Sequence, residues 1–153
     1  MSDVLHAALG LVDSLHQLVA ALIVLLVCGL AWGLGRPPER WGATAVFLAY
    51  IAAPIVQDTT DWVAPQIGLI TVDLLLLTAL IALALRSNRF WPTVAAGLHL
   101  LSLLAHVAVF VDAGVLPLAY IIVLNLIGYL VLAALAAGVL EGRRLDRLSA
   151  RRA

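Results

Sequence analysis

A run of about twenty apolar residues, ended by a short polar turn and then repeated, leaves a polypeptide few choices. A bilayer core about 30 Å thick needs roughly 20 apolar residues per crossing helix. Inside hydrocarbon each peptide group must find its partner within the chain, so such runs fold as helices. Five runs here reach or approach that length, at 15–35, 42–57, 62–85, 92–112 and 116–140. The breaks between them are RPPER, QDTTD, RSNRFWP and DAGVLP, each polar or proline-bearing. The expected fold class is an all-α integral membrane protein, a bundle of five transmembrane helices. Only 12% of the 153 residues are charged, against about 25% in a soluble domain. Little chain is left for a separate catalytic module. The single cysteine, Cys28, excludes an internal disulfide and a CxxC redox pair.

Charge then orients the chain. All nine basic residues are arginine: Arg36, Arg40, Arg86, Arg89, Arg143, Arg144, Arg147, Arg151 and Arg152. Five crossings put every one of them on the same side, opposite Asp3, Asp13, Asp58, Asp61 and Asp112. The weakest run is 42–57. Were it re-entrant, Arg86 and Arg89 would lie across the membrane from Arg36 and Arg40. The excess of basic residues on the cytoplasmic side therefore selects five spans, N-terminus out and C-terminus in. A basic set without lysine agrees with a GC-rich bacterial genome, and the expected location is a bacterial inner (plasma) membrane. Trp32, Trp41 and Trp91 are expected at the inner interface and Trp62 at the outer one.

The ends carry their own expectations. Residues 1–14 read as an N-terminal amphipathic segment. The lack of Lys or Arg before residue 17 argues against a cleavable signal. Residues 141–153 read as a basic cytoplasmic tail. Its Arg143, Arg144, Arg147, Arg151 and Arg152 are expected to hold anionic lipid headgroups, at about 1 kcal/mol per basic residue near the surface. Nucleic acid is not an expected partner, because the tail has no aromatic residue and no folded context.

Function, if the chain carries one in its spans, rests on a few polar residues. Asp73 lies in the middle of LITVDLLLLTAL, and an ionisable residue at membrane depth is a functional candidate by default. Gln66 lies seven residues before it, on the same stripe. His99, Ser102 and His106 follow i, i+3, i+7, also one stripe. At a rise of 1.5 Å per residue from the arginine end of each run, Asp73 sits about 18 Å up, with Ser102 at about 17 Å and His106 at about 22 Å. Asn125 also comes at about 22 Å. Gln66, Asp73, His99, Ser102, His106 and Asn125 are thus expected to line the bundle interior. No cation lies within any span, so Asp73 is expected to be neutral and to tie the third helix to the fourth by a hydrogen bond.

Several functions fit that cluster. The first is a non-enzymatic accessory subunit or homo-oligomeric membrane component, with the polar groups as glue and with small residues such as Gly29 and Gly33 at helix contacts. The second is a proton- or ion-linked channel or carrier using Asp73 with His99 and His106, since histidine titrates near neutral pH. The third is a haem or metal protein, with His6, Asp13 and His16 as weak metal candidates. No cofactor is expected. His99 and His106 are about 10.5 Å apart along one helix and cannot share an ion. An enzyme is not expected either, as HExxH, GxSxG, Walker and GxGxxG patterns are absent.

Overall fold

The computed structural model describes residues 2–57, 66–111 and 117–151, with side chains from residue 15 in the first stretch and from residue 118 in the last. Five helices make up these residues: α1 Ser2–Leu34, α2 Pro37–Val56, α3 Ile67–Arg86, α4 Trp91–Val111 and α5 Pro117–Ala150. Four of them are long and apolar enough to cross a membrane, over Leu15–Leu34, Ile67–Arg86, Trp91–Val111 and Leu118–Ala150. The chain is an all-helical protein of membrane type.

Proline and polar turns set the boundaries. Arg36 is extended, at φ −80° and ψ 172°, as the residue before a proline must be. Pro37 then opens α2 in the first turn, where a missing N–H costs nothing. Glu39 reaches back to accept from the Arg36 backbone N–H at 2.9 Å, half of a capping box. At the end of α3, the Ser87 hydroxyl donates to the Leu83 carbonyl at 2.6 Å. The α1–α2 connection is two residues and the α3–α4 connection four, so both pairs are antiparallel neighbours.

Three boundaries differ from expectation. α2 starts at Pro37 rather than 42, because the PPER segment begins the helix instead of breaking the chain. α1 runs from Ser2, so the backbone of residues 2–14 continues the first apolar helix. α5 runs ten residues past 140 and carries most of the arginine tail as helix.

The helices close into a ring. α1 lies against α2 and α5, α2 against α3, α3 against α4, and α4 against α5, while α2 also touches α5 across the ring. The two ends of this ring are filled differently. In the half nearest the arginines, Cys28, Ala31, Ala43, Leu80, Ala95 and Leu135 are wholly buried. Small residues let the backbones approach there, as in other membrane helix contacts. Trp91 drives into the same layer and is 4% exposed. Trp32 and Trp41, by contrast, are exposed, and Trp62 lies outside the described residues. A Cβ on Gly42 or on Gly138 would fall inside the Trp91 ring, so those two glycines make the space that the indole fills. A methyl group added at Gly29 or at Gly33 would meet no atom within 4 Å among the described residues. Among the described residues, then, their GxxxG spacing packs on nothing within the chain.

Candidate functional site

The far half of the ring holds a cavity of about 310 Å³. All five helices line it, with Val24, Val46, Leu76 and Leu132 among its apolar walls and Asp73 on its surface. The wholly buried layer containing Leu80 and Leu135 separates it from the arginine end.

Asp73 is the hub of the polar groups. The i, i+3, i+7 spacing of His99, Ser102 and His106 turns all three toward α3, and each is buried. The Ser102 hydroxyl donates to Asp73 Oδ2 at 2.6 Å. His106 Nε2 lies 3.1 Å from the same oxygen. His99 Nε2 lies 3.1 Å from the Asp73 backbone carbonyl; a carbonyl only accepts, so this nitrogen carries the hydrogen. Asp73 Oδ1 stands 3.7 Å from His99 Nε2, beyond hydrogen-bond length. The aspartate therefore joins α3 to α4 at three places.

The chain of contacts continues to α5. The Tyr120 hydroxyl is 2.6 Å from His106 Nδ1, with the rings edge to face at 5.5 Å. Tyrosine, imidazole and carboxylate thus lie in series. Two proton patterns satisfy this geometry. In one, Tyr120 donates to Nδ1 and Nε2–H donates to an ionised Asp73. In the other, a protonated Asp73 donates to Nε2 and Nδ1–H donates to the tyrosine oxygen. Adding one proton at the aspartate end reverses every donor in the series.

The remaining candidates fall into three groups. Gln66 is 6% exposed and lines the cavity with Asp73. Asn125 also lines the cavity, but the partner of His106 on α5 is Tyr120. Counted from residue 140, Tyr120 stands about 30 Å up, roughly 8 Å above Asn125, so rise alone does not single it out. Arg143, Arg144 and Arg147 are exposed on the helical tail, and Arg151 is exposed just past its end. The side chains of His6 and Asp13, and the whole of Arg152, lie outside the described residues. His16 pairs with Tyr129, whose hydroxyl is 3.3 Å from His16 Nε2. Among the described residues, no three His, Cys, Asp or Glu side chains gather as a metal-binding group.

A second buried cluster is not foreseen by the sequence, where Glu39, Arg89 and Glu141 count only as charges and Trp91 as an interface residue. Glu39 is wholly buried. It accepts from Trp91 Nε1 at 2.9 Å and lies 3.4 Å from Arg89 Nε. Arg89 is 8% exposed and has Glu141 at 3.9 Å on its other side. Its remaining terminal nitrogen is buried against Gly142 without a hydrogen bond among the described residues. The signal was a glutamate three residues after Arg36, in the position that caps a helix. Outside this cluster, Arg36 is hydrogen-bonded to the exposed Asp146, and this guanidinium holds the Asp146 carboxyl below the usual carboxylate range.

Comparison of the chain with known protein families, with curated proteins and with solved structures finds no match. The functional reading therefore rests on the geometry of the site.

Proposed function

We propose that this protein is a small, non-enzymatic membrane protein that binds a ligand in its cavity and exchanges a proton with it through Asp73. The observation that carries the reading is the Tyr120–His106–Asp73 series on the cavity wall, which accepts one proton by reversing its donors. A purely structural tie between helices needs no third member and no cavity. A proton channel through a single chain is disfavoured by the apolar layer at Leu80 and Leu135, because a buried void without polar partners stays dry. The proton thus enters and leaves on the cavity side of that layer.

The proposed setting is a bacterial inner membrane, with five crossings, the N-terminus out and the arginine end in. α2 supports the fifth crossing. Its 20 residues reach about 30 Å, and its glutamate is neutralised inside the bundle. Anionic lipid headgroups are the proposed partners of the exposed tail arginines. A role as a subunit of a larger or homo-oligomeric assembly is a second reading, favoured by the unpacked Gly29 and Gly33 face.

Infrared difference spectroscopy of the protein in lipid tests the proton reading. A carboxyl C=O band that titrates with pH, and that disappears in Asp73→Asn, is expected. A spectrum with no titrating band assignable to Asp73 refutes it. Native mass spectrometry after gentle extraction tests the second reading, through co-purifying chains.

A further inference from the structure

The chemistry of the cavity also selects what enters it. Among the described residues, the titratable groups on its walls are Tyr50 from α2, Asp73 from α3, His99 and His106 from α4, and Tyr120 and Tyr129 from α5; α1 contributes none. No arginine and no glutamate is among the described residues that line it. An anion would find no cation there, and burying one unpaired is prohibitive. The Asp73 cluster itself offers little to a ligand that needs hydrogen-bond donors; the donors on the other walls are the hydroxyls of Tyr50 and Tyr129 and the amides of Gln57, Gln66 and Asn125. The Ser102 hydroxyl and the His99 Nε2 hydrogen both point at Asp73, and Tyr120 is engaged with His106. What the cluster turns outward is acceptor character. Both side-chain bonds end on Oδ2, which leaves Oδ1 without a donor at hydrogen-bond distance among these groups.

We propose that the cavity takes a small lipophilic monocation, whose positive charge replaces the proton on Asp73. This rests on the reading of Asp73 as a proton-exchanging group and adds the class of ligand. The exchange balances: the protonated carboxyl and the cation give a carboxylate–cation pair and one released proton. Three tyrosines line the same walls, aromatic rings attract cations, and the aliphatic walls accept the apolar part. The volume of 310 Å³ admits about ten non-hydrogen atoms at roughly 30 Å³ each.

Benzyltrimethylammonium is a suitable probe. It is of this size and permanently charged, and it has no proton of its own to lose. Neopentylbenzene has the same shape without the charge. Calorimetric titration of the wild-type protein in lipid nanodiscs, in two buffers of different ionisation enthalpy, reads both affinity and proton release. The expected result is binding of the ammonium ion with up to one proton released. Its affinity rises about tenfold per pH unit while Asp73 is still protonated, and neopentylbenzene fails to compete. Equal binding of both probes with no proton release overturns the inference and leaves a cavity that selects by shape. Binding of neither, while the Asp73 infrared band still titrates, overturns the inference and leaves the proton reading standing. Absence of both signals overturns the two together. Asp73→Asn is expected to abolish the proton release; should that variant not fold, the comparison of the two probes on the wild-type chain decides alone.

Discussion

Replacing Glu39 by alanine is the sharpest test of how the arginine end is held. The carboxylate is wholly buried and satisfies three donors: the Trp91 indole, the Arg36 backbone N–H and, by charge, Arg89. Its removal leaves Arg89 almost buried without its closest countercharge, since Glu141 stands 3.9 Å away and is half-exposed. Removing one partner of a buried ion pair costs about 3–5 kcal/mol, far more than the net worth of the pair. At about 2–4 °C per kcal/mol for a chain of this size, the melting temperature of Glu39→Ala is expected to fall by roughly 6–20 °C. Glu39→Gln keeps the volume and one acceptor, and should fall between Ala and wild type. Thermal unfolding in a mild detergent, followed by tryptophan emission, reads both the midpoint and the environment of Trp91. The companion variant Arg89→Met removes the stranded charge, so the double variant Glu39→Ala/Arg89→Met should lose less than the sum of the two. A Glu39→Ala midpoint within a degree of wild type, with unchanged emission, refutes the reasoning.

Other expectations follow from the same contacts. Asp73→Ala removes two side-chain bonds between α3 and α4, each about 0.6 kcal/mol in membrane proteins, so its midpoint should drop by only a few degrees in the same assay. Tyr120→Phe keeps the ring and loses the hydroxyl on His106 Nδ1; the Asp73 infrared band should persist with a displaced titration midpoint, whereas an unchanged midpoint would mean that the tyrosine stands outside the series. Gly138→Leu pushes side-chain atoms into the space of the Trp91 ring and should cost about 1–3 kcal/mol, with a red-shifted emission. In a Cys28→Ala background, Ser2→Cys and Ser149→Cys should react with an impermeant thiol reagent from opposite sides of a vesicle; labelling from the same side would mean an even number of crossings.

Much of the site was legible because it obeys helix periodicity. The stripe of His99, Ser102 and His106 is written in the spacing, and the short connection after Arg86 makes α4 the antiparallel neighbour of α3. Those two facts bring the stripe to Asp73 without knowledge of any other contact. Tyr120 was not legible for a geometric reason. Rise along α5 from residue 140 puts Tyr120 about 30 Å up, against about 22 Å for His106, so depth points to Asn125, and only the packed helices bring the tyrosine hydroxyl to the imidazole. Glu39 was missed for an energetic one. A charge at the edge of an apolar run looks like a solvated interface group, and only the three-dimensional arrival of Trp91 and Arg89 makes its burial tolerable. Gly29 and Gly33 show the reverse, a motif with helix-packing spacing that packs on nothing described within the chain.

The Glu39 cluster also bears on how such a chain is assembled. α2 begins with the polar PPER segment and carries a glutamate in its first turn. The groups that neutralise that glutamate arrive later: Arg89 and Trp91 come some fifty residues downstream, and Glu141, which borders Arg89, comes fifty residues later still. Until those groups arrive, Glu39 is an unpaired acid whose place is in water. The last helix completes the arrangement by bringing Gly138 against the indole and Gly142 against the guanidinium. The cluster therefore closes only when the later helices are made: a chain ending before α4 would leave Glu39 without Arg89 and Trp91, an unpaired acid that the finished protein hides.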